Sequence, residues 1–332
     1  MNEKLLIGFT GDVMIGRGVD AAISTNGYTY PWGNLLPLLS STDLNVINLE
    51  TTLTNSSSEV FKTFNFKASP DKVECLKLAH IHIANIANNH ILDFSESGFY
   101  ETLRTLDLAG IKYTGAGNNE IEAAKPLLSI NKNIRIVIFG FTDNEPGWKA
   151  EPGKCGVNFI DIANTQDRKS ALHQVETFKT HADVVIISLH WGPNLKEAPG
   201  PKHIHFAHQL VDHGATIIHG HSAHNFQGLE VYKGKLILYD TGDFVDDYVV
   251  NAELKNDHSF FYMVTMQKNN IIEIKLVPVL ISNCQVNYAT GDDKNWCLHR
   301  IQQLSAKFGT TITNEGLVVT EKRSFANNNL NV

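Results

Sequence analysis

The sequence predicts an α/β protein in which a core sheet packs against a second, more antiparallel sheet. Three features point there. Short β-branched runs alternate with amphipathic stretches over most of the chain, the last third reads mostly as strand, and the apolar runs repeatedly stop at a polar residue of metal-ligand type. With 332 residues, 42% hydrophobic and 19% charged, the chain has the composition of a globular protein with a large core. Neither a repeat nor a linker divides it, so residues 1–332 are expected to form a single domain. Its core spans about 4–282, with a C-terminal helix and tail over about 293–332.

In chain order, Leu5–Asp12 is an apolar run that ends in Gly-Asp, and Asn45–Glu50 repeats the plan with a terminal acid. A Ser/Thr/Asn-rich loop over 51–67 carries Phe61, Phe64 and Phe66, for which packing is expected. A helix follows, with Ser69 as N-cap, Pro70 at its first position, and Val73, Leu76 and Ala79 on one side. Ile81–Ala87 reads as a buried strand running into Asn88, Asn89, His90 and Asp93. Phe99, Leu103 and Leu106 predict a helix over 96–109, closed by Gly110.

Further on, Ile134–Gly140 and Val184–Gly192 are strands, separated by a Pro/Gly/Trp-rich loop and a helix near 165–180. His190 sits at the end of the second of these. A helix over about 201–213 leads into Thr216–Glu230, where a β-branched run meets a Gly-His turn holding His219, His221 and His224. Leu236–Thr241, Ser259–Met266 and Ile271–Val279 are consecutive strands, with a hairpin turn at 268–270. A last helix over about 295–308 precedes a polar tail whose end, Asn327–Val332, is expected to fray.

A formal charge of −7 argues against a nucleic-acid partner. The four cysteines have no short ligand spacing and read as buried free thiols. No apolar run reaches the roughly 18–20 residues that cross a bilayer, and the strand at Leu5 leaves no room for a signal peptide. A cytoplasmic protein is therefore expected.

The polar residues carry the functional signal. Asp12, Asn48 with Glu50, Asn89 with His90, His190, and His221 with His224 all fall at the C-terminal ends of predicted strands, which in an α/β sheet converge on one crevice. Singly, each has an ordinary reading: Asp12 as a turn residue or cap, Glu50 as a surface acid, Asn88 and Asn89 as turn formers, His190 as a core histidine. Together they are a mixed set of carboxylate, imidazole and amide oxygen, which suits one or two divalent cations such as Mn, Zn or Fe. His219, before the glycine of the turn, is expected in the core or behind the ligands.

The blocks Gly11–Arg17, Asn48–Thr51, Ala87–Asp93, His190–Gly192, and Gly220–His224 with Gln227–Glu230 resemble those of the CapA family, the capsule or poly-γ-glutamate biosynthesis proteins. They do so in order from about residue 5 to 245. That family is similar to the calcineurin-like metallophosphoesterases. The resemblance implies a metallophosphatase-like sandwich of two mixed β-sheets flanked by helices, with a metal site at the sheet edge. It implies Asp12, Glu50, Asn89, His190, His221 and His224 as metal ligands, Glu50 standing in the place of a bridging aspartate. His90 would be the general acid or oxyanion stabiliser, oriented by Asp93, and Arg17 would hold an anionic group. Two departures stand out: Met14 replaces a histidine of the phosphoesterases, and His221 and His224 are spaced His-x-x-His rather than His-x-His. Asp240 or Asp243, in Asp240-Thr-Gly-Asp-Phe244, would be outer support or a solvated turn.

The function so implied is a metal-dependent hydrolase whose activated water attacks a phosphoester or an amide or γ-glutamyl bond of a small-molecule, peptide or polyglutamate substrate. The alternatives are a metal-dependent peptide or amino-acid epimerase at the same site and a non-catalytic subunit of a polymer-synthesis assembly.

Overall fold

In a computed structural model, residues 3–320 are described; the expected fraying at Asn327–Val332 lies outside the described residues. Four strands come first: Leu5–Val13 (β1), Leu44–Leu49 (β2), Ile83–Asn85 (β3) and Lys112–Thr114 (β4). Six follow at Leu127–Asn131 (β5), Ile134–Thr142 (β6), Val184–His190 (β7), Ile217–His221 (β8), Leu229–Tyr232 (β9) and Lys235–Leu238 (β10). Asp243–Val245 (β11), His258–Gln267 (β12), Asn270–Ser282 (β13) and Gln285–Tyr288 (β14) complete the two large sheets. The main helices are Arg17–Asn26 (α1), Ser95–Ala109 (α2), Thr165–Phe178 (α3), Pro201–His213 (α4) and Gly291–Ala306 (α5).

Two mixed sheets result, in the orders β14-β13-β12-β1-β2-β3-β4, with β11 beside β1, and β9-β10-β8-β7-β6-β5. Alternation along the strands explains their stacking. Leu5, Ile7 and Phe9 of β1 and Phe260, Tyr262 and Val264 of β12 face Ile134, Ile136 and Ile138 of β6 and Val184 and Ile186 of β7 across one shared core. The outer face of the first sheet is covered by Val19 and Ile23 of α1 and Phe99, Leu103 and Leu106 of α2. Leu172 and Val175 of α3 and Phe206 and Leu210 of α4 cover the outer face of the second. The architecture is the two-sheet sandwich flanked by helices that the family resemblance implies.

The second sheet is not the more antiparallel one. Its centre, β6-β7-β8-β10, is parallel, because α3 and α4 are crossover helices and a crossover returns the chain in the same direction. The antiparallel strands β12 and β13 instead extend the first sheet from β1. Their hairpin turns at Lys268, whose φ is 52°, as its turn signal predicts. The strand expected over 81–87 shortens to Ile83–Asn85, since the Asn85 side chain bonds the backbone of Ala87 and turns the chain there. The last helix starts at Gly291 rather than near 295, with Asp292 and Asp293 in its first turn. The four cysteines are free. No helix among the described residues is long and apolar enough to cross a membrane.

Candidate metal centre

Strand register alone assembles most of the site. In the first sheet Asp12 lies opposite Asn48 of β2 on one side and Asp243 of β11 on the other. In the second, His190 at the end of β7 is opposite His221 at the end of β8. Glu50 follows β2 directly, and His224 lies in the turn after β8 at φ 59°. That turn is fixed by Asp240, whose carboxylate accepts from the backbone N–H groups of Ala223 and Gly242 at 2.8 Å each. Burial pushes the Asp240 carboxyl up to about 7.

Two groups of ligand-type atoms form, each with all its members within 4.8 Å of one another: Asp12, His190 and His221, and Asp12, Glu50, His224 and Asp243. Asp12 belongs to both. Its Oδ1 is 3.8 Å from His190 Nδ1 and 3.7 Å from His221 Nδ1, while its Oδ2 is 3.6 Å from His224 Nδ1. Asp12, Glu50 and Asp243 are no more than 1% exposed. One oxygen of each, Asp12 Oδ2, Glu50 Oε1 and Asp243 Oδ2, has no hydrogen-bond partner among the described residues. Buried carboxylate oxygens left so are costly, and a cation would satisfy them.

The hydrogen bonds also indicate which imidazole nitrogens carry the proton. His219 Nε2 lies 2.7 Å from the Thr10 carbonyl and must donate to it. Its Nδ1 then accepts from Ser188 Oγ at 3.2 Å, and Ser188 Oγ accepts from His221 Nε2 at 3.0 Å. His190 Nε2 donates to Asn89 Oδ1 at 2.9 Å. The Nδ1 atoms of both His190 and His221 therefore carry lone pairs and face each other at 3.0 Å, with Asn48 Nδ2 donating toward that of His190 at 3.2 Å. Burial holds both imidazoles well below the usual histidine range, so they are neutral and ready to ligate. Two lone pairs converging beside an acid fit a divalent cation well. His224 behaves oppositely: burial disfavours its charge, but Asp243, Glu50 and Asp12 outweigh that and raise it well above its ordinary value.

A cavity of about 470 Å³ opens onto this floor, lined by Asn89, His90 and His224 and walled by Arg17, Lys62 and Tyr248. His90 is stacked on Phe66 with ring centroids 3.8 Å apart. Its Nδ1 bonds Asp93 Oδ2 at 2.6 Å, and its Nε2 is directed to Glu50 Oε1 at 3.6 Å. Asp93 is buried and also accepts from the Phe66 N–H at 2.7 Å and from Lys62 Nζ at 3.0 Å. Arg17 is ion-paired with Asp247, its guanidinium 5.0 Å from the Phe66 ring and 5.7 Å from that of Tyr248.

The sequence profile described as "Bacterial capsule synthesis protein PGA_cap" matches residues 6–248. A Mycobacterium tuberculosis protein named "Probable polyglutamine synthesis accessory protein" is 31% identical over 91% of this chain and 91% of its own length. The chain belongs to the bacterial capsule synthesis family. Other members similar to it are the capsule biosynthesis protein CapA of Bacillus anthracis, 31% identical over 74% of this chain and 61% of that one, and the PGA biosynthesis protein CapA of Bacillus subtilis, 28% identical over 84% and 72%. Among solved structures, a 5'-nucleotidase precursor from Thermus thermophilus overlays with a TM-score of 0.48 at 15% identity, covering 84% of this chain and 54% of that one. That overlay is loose, and the roles of the residues rest on the chain's own geometry.

In this member of the capsule synthesis family, all the sequence-predicted residues gather at one end of the sandwich. Asp12, Glu50, His190, His221 and His224 form the two clusters. Asn89 meets the site through His190, and Asn48 through a 2.8 Å bond to Asp12 Oδ1. His219 stands behind His221, as expected. Met14, where a phosphoesterase histidine is absent, is buried among the apolar residues packed beneath α1. Sequence reasoning left Asp243 between outer support and a solvated turn; it is fully buried within the second cluster. It missed Lys62 and Tyr248 altogether. A signal for Asp243 exists: Gly242-Asp243 repeats the Gly11-Asp12 doublet, and the two aspartates pair in register.

Proposed function

We propose that this protein is a metal-dependent hydrolase acting on an amide-type bond, such as the γ-glutamyl link of a polyglutamate or peptide. The observation that supports it most is the convergence of two imidazole lone pairs and three carboxylate oxygens without hydrogen-bond partners, next to an open cavity lined by His224 and by His90, an imidazole oriented by an acid. Asp12, His190, His221, Glu50, His224 and Asp243 would hold one or two divalent cations, which supply Lewis acidity toward water and the scissile group. His90 supplies the proton. Asp93 takes the hydrogen bond from Nδ1 and would stabilise the imidazolium, whose Nε2 proton, turned toward the cluster, a leaving amine would collect, returning the ring to neutral.

The charges of the cavity favour an amide over a phosphoester. Both cationic side chains on its wall are already paired, Arg17 with Asp247 and Lys62 with Asp93, so little positive charge is left over for a phosphate. Asn194 and Asn256, with Leu195, Phe64 and Val249, complete a lining suited to a peptide-like chain. The names of the relatives, which refer to polyglutamine synthesis and PGA biosynthesis, agree with such a substrate.

The test is hydrolysis of a panel of γ-glutamyl peptides, α-peptides, phosphomonoesters and phosphodiesters by Mn²⁺- or Zn²⁺-loaded protein. Cleavage of a γ-glutamyl or peptide substrate is expected, with chelation abolishing it. His90→Asn should lower kcat by about 100-fold or more while leaving bound metal unchanged. Cleavage confined to phosphoesters, or a His90→Asn variant as fast as the parent, would sink the reading.

A further inference from the structure

Resting on the amide-hydrolase reading above, we infer that Tyr248 is a catalytic residue of the site. Its phenol hydroxyl donates to the oxygen of the scissile carbonyl as that oxygen becomes negative, while His90 gives its proton to the leaving nitrogen. The two side chains meet at one carboxylate. Glu50 has its Oε1 3.6 Å from His90 Nε2 and its Oε2 3.2 Å from the Tyr248 hydroxyl. Both rings line the cavity, and Phe66 joins them, stacked on His90 at 3.8 Å between centroids and lying 5.7 Å from the Tyr248 ring. The Tyr248 ring also stands edge-on to His224 at 5.1 Å, and its backbone N–H donates to Asp246 Oδ1 at 2.8 Å. Three contacts that do not involve the hydroxyl therefore place the residue.

The hydroxyl itself is loosely held. An O–H donating to a carboxylate ordinarily closes to about 2.5–2.7 Å, as Tyr239 does to Glu230 at 2.6 Å in the interior. At 3.2 Å the Tyr248 hydroxyl rests on Glu50 without being gripped by it, and a stronger acceptor in the cavity draws it away. A carbonyl becomes such an acceptor during amide cleavage. As hydroxide adds to the carbonyl carbon, the C=O π pair moves onto oxygen together with the negative charge that the hydroxide brought. When the C–N bond breaks, that pair returns to restore the carbonyl, and the amine leaves with the proton from His90 Nε2. The Tyr248 proton is shared in a hydrogen bond and never transferred, since a phenol keeps it through the neutral range. The cavity's cationic side chains are not free for this task, because Arg17 is paired with Asp247 and Lys62 with Asp93. A fixed donor aimed at charge that appears only during the reaction lowers the barrier more than it tightens substrate binding.

The test compares cation-loaded Tyr248→Phe with the parent in two measurements. One is cleavage of a γ-glutamyl peptide; the other is binding of the same peptide with a phosphinate in place of the scissile amide, a stable mimic of the tetrahedral oxyanion. The expected results are a kcat about 100-fold lower, a KM within a few-fold of the parent's, and a phosphinate affinity reduced by about the same factor as kcat. Bound metal, counted by mass spectrometry, should match the parent's. Tyr239→Phe is the control: it removes a tightly bonded hydroxyl away from the cavity, and should lower the melting temperature while leaving kcat and phosphinate affinity within a few-fold. Folding of each variant is checked by circular dichroism. Where Tyr248→Phe does not fold, a ring-fluorinated tyrosine placed at the same position keeps the hydroxyl and makes it a stronger donor. That protein should bind the phosphinate at least as tightly as the parent, and weaker binding overturns the inference. An unchanged kcat or phosphinate affinity in Tyr248→Phe overturns it as well. So does bound metal that falls in step with kcat, which would mean that the hydroxyl acts only by orienting Glu50. A parent that does not cleave the peptide removes the amide-hydrolase reading, and this inference with it.

Discussion

Asp12→Asn is expected to weaken cation retention by both groups of ligand-type residues at once and to raise the stability of the metal-free protein. The first effect follows from sharing: each oxygen of Asp12 serves a different group of ligands, so one substitution removes a donor from each. Turnover should fall at least about 100-fold, the loss already seen when only a partner of a ligand is removed. The second effect is the reverse side of the same burial. Without a cation, Asp12, Glu50 and Asp243 crowd like charges into a space shielded from water, and burial followed by Glu50 drives the Asp12 carboxyl well above its ordinary value. A neutral amide of the same shape removes one of those charges and keeps an oxygen to accept from Asn48. Urea unfolding in the presence of chelator should show a gain of about 1–3 kcal/mol over the parent, and added Mn²⁺ should no longer stabilise the variant. A chelated variant less stable than the chelated parent would mean that the Asp12 charge is already satisfied by the protein.

Gly11→Ala should be among the most damaging small substitutions in the chain. A Cβ at Gly11 would sit 2.0 Å from the Gly242 carbonyl oxygen and 2.9 Å from the Asp243 carbonyl carbon, both backbone atoms that cannot swing aside. β1 and β11 would have to part, and with them Asp12 and Asp243. The expected cost is on the order of 3 kcal/mol, at the upper end for overpacking, with weakened cation binding even in the folded fraction. Gly147→Ala is the control, because a methyl there meets nothing within 4 Å, and its unfolding curve should coincide with the parent's to within about 0.5 kcal/mol. Unfolding of Gly11→Ala that matches the control would show that the close approach of the two strands is not needed.

The legibility of the site varied with how local its causes are. Asp12, Glu50, His190 and His221 stood out because each closes an apolar run long enough to be recognised as a strand, and the end of such a run is a position defined by the sequence itself. Asp243 was harder to place because β11 is three residues long and pairs with β1 across more than two hundred positions. A short strand has no periodicity to read. Lys62 lies in a Ser/Thr/Asn-rich loop without pattern, and only the fold brings it to Asp93. The placement of β12 and β13 failed for a related reason. Local signals identify a hairpin well, but which sheet the hairpin joins is decided by the free edge of β1, far away in the chain. The tautomers of His190 and His221 lay further out of reach, since they depend on Thr10, Ser188 and Asn89 arriving from three separate elements.

The sandwich divides the ligands by layer. The acids Asp12, Glu50 and Asp243 come from the first sheet or the residue after it, whereas His190, His221 and His224 come from the second sheet and its following turn. A bound cation would therefore act as a rivet through two plates, fastening layers that otherwise meet through the apolar side chains between them and a few hydrogen bonds such as that from His219 to the Thr10 carbonyl. Loading the centre would then stiffen the protein as a whole, slowing hydrogen exchange at the mating ends of β1 and β8 in step with each other. Any change that slides one plate against the other, however remote from the acids and imidazoles, would be felt as a change in cation affinity.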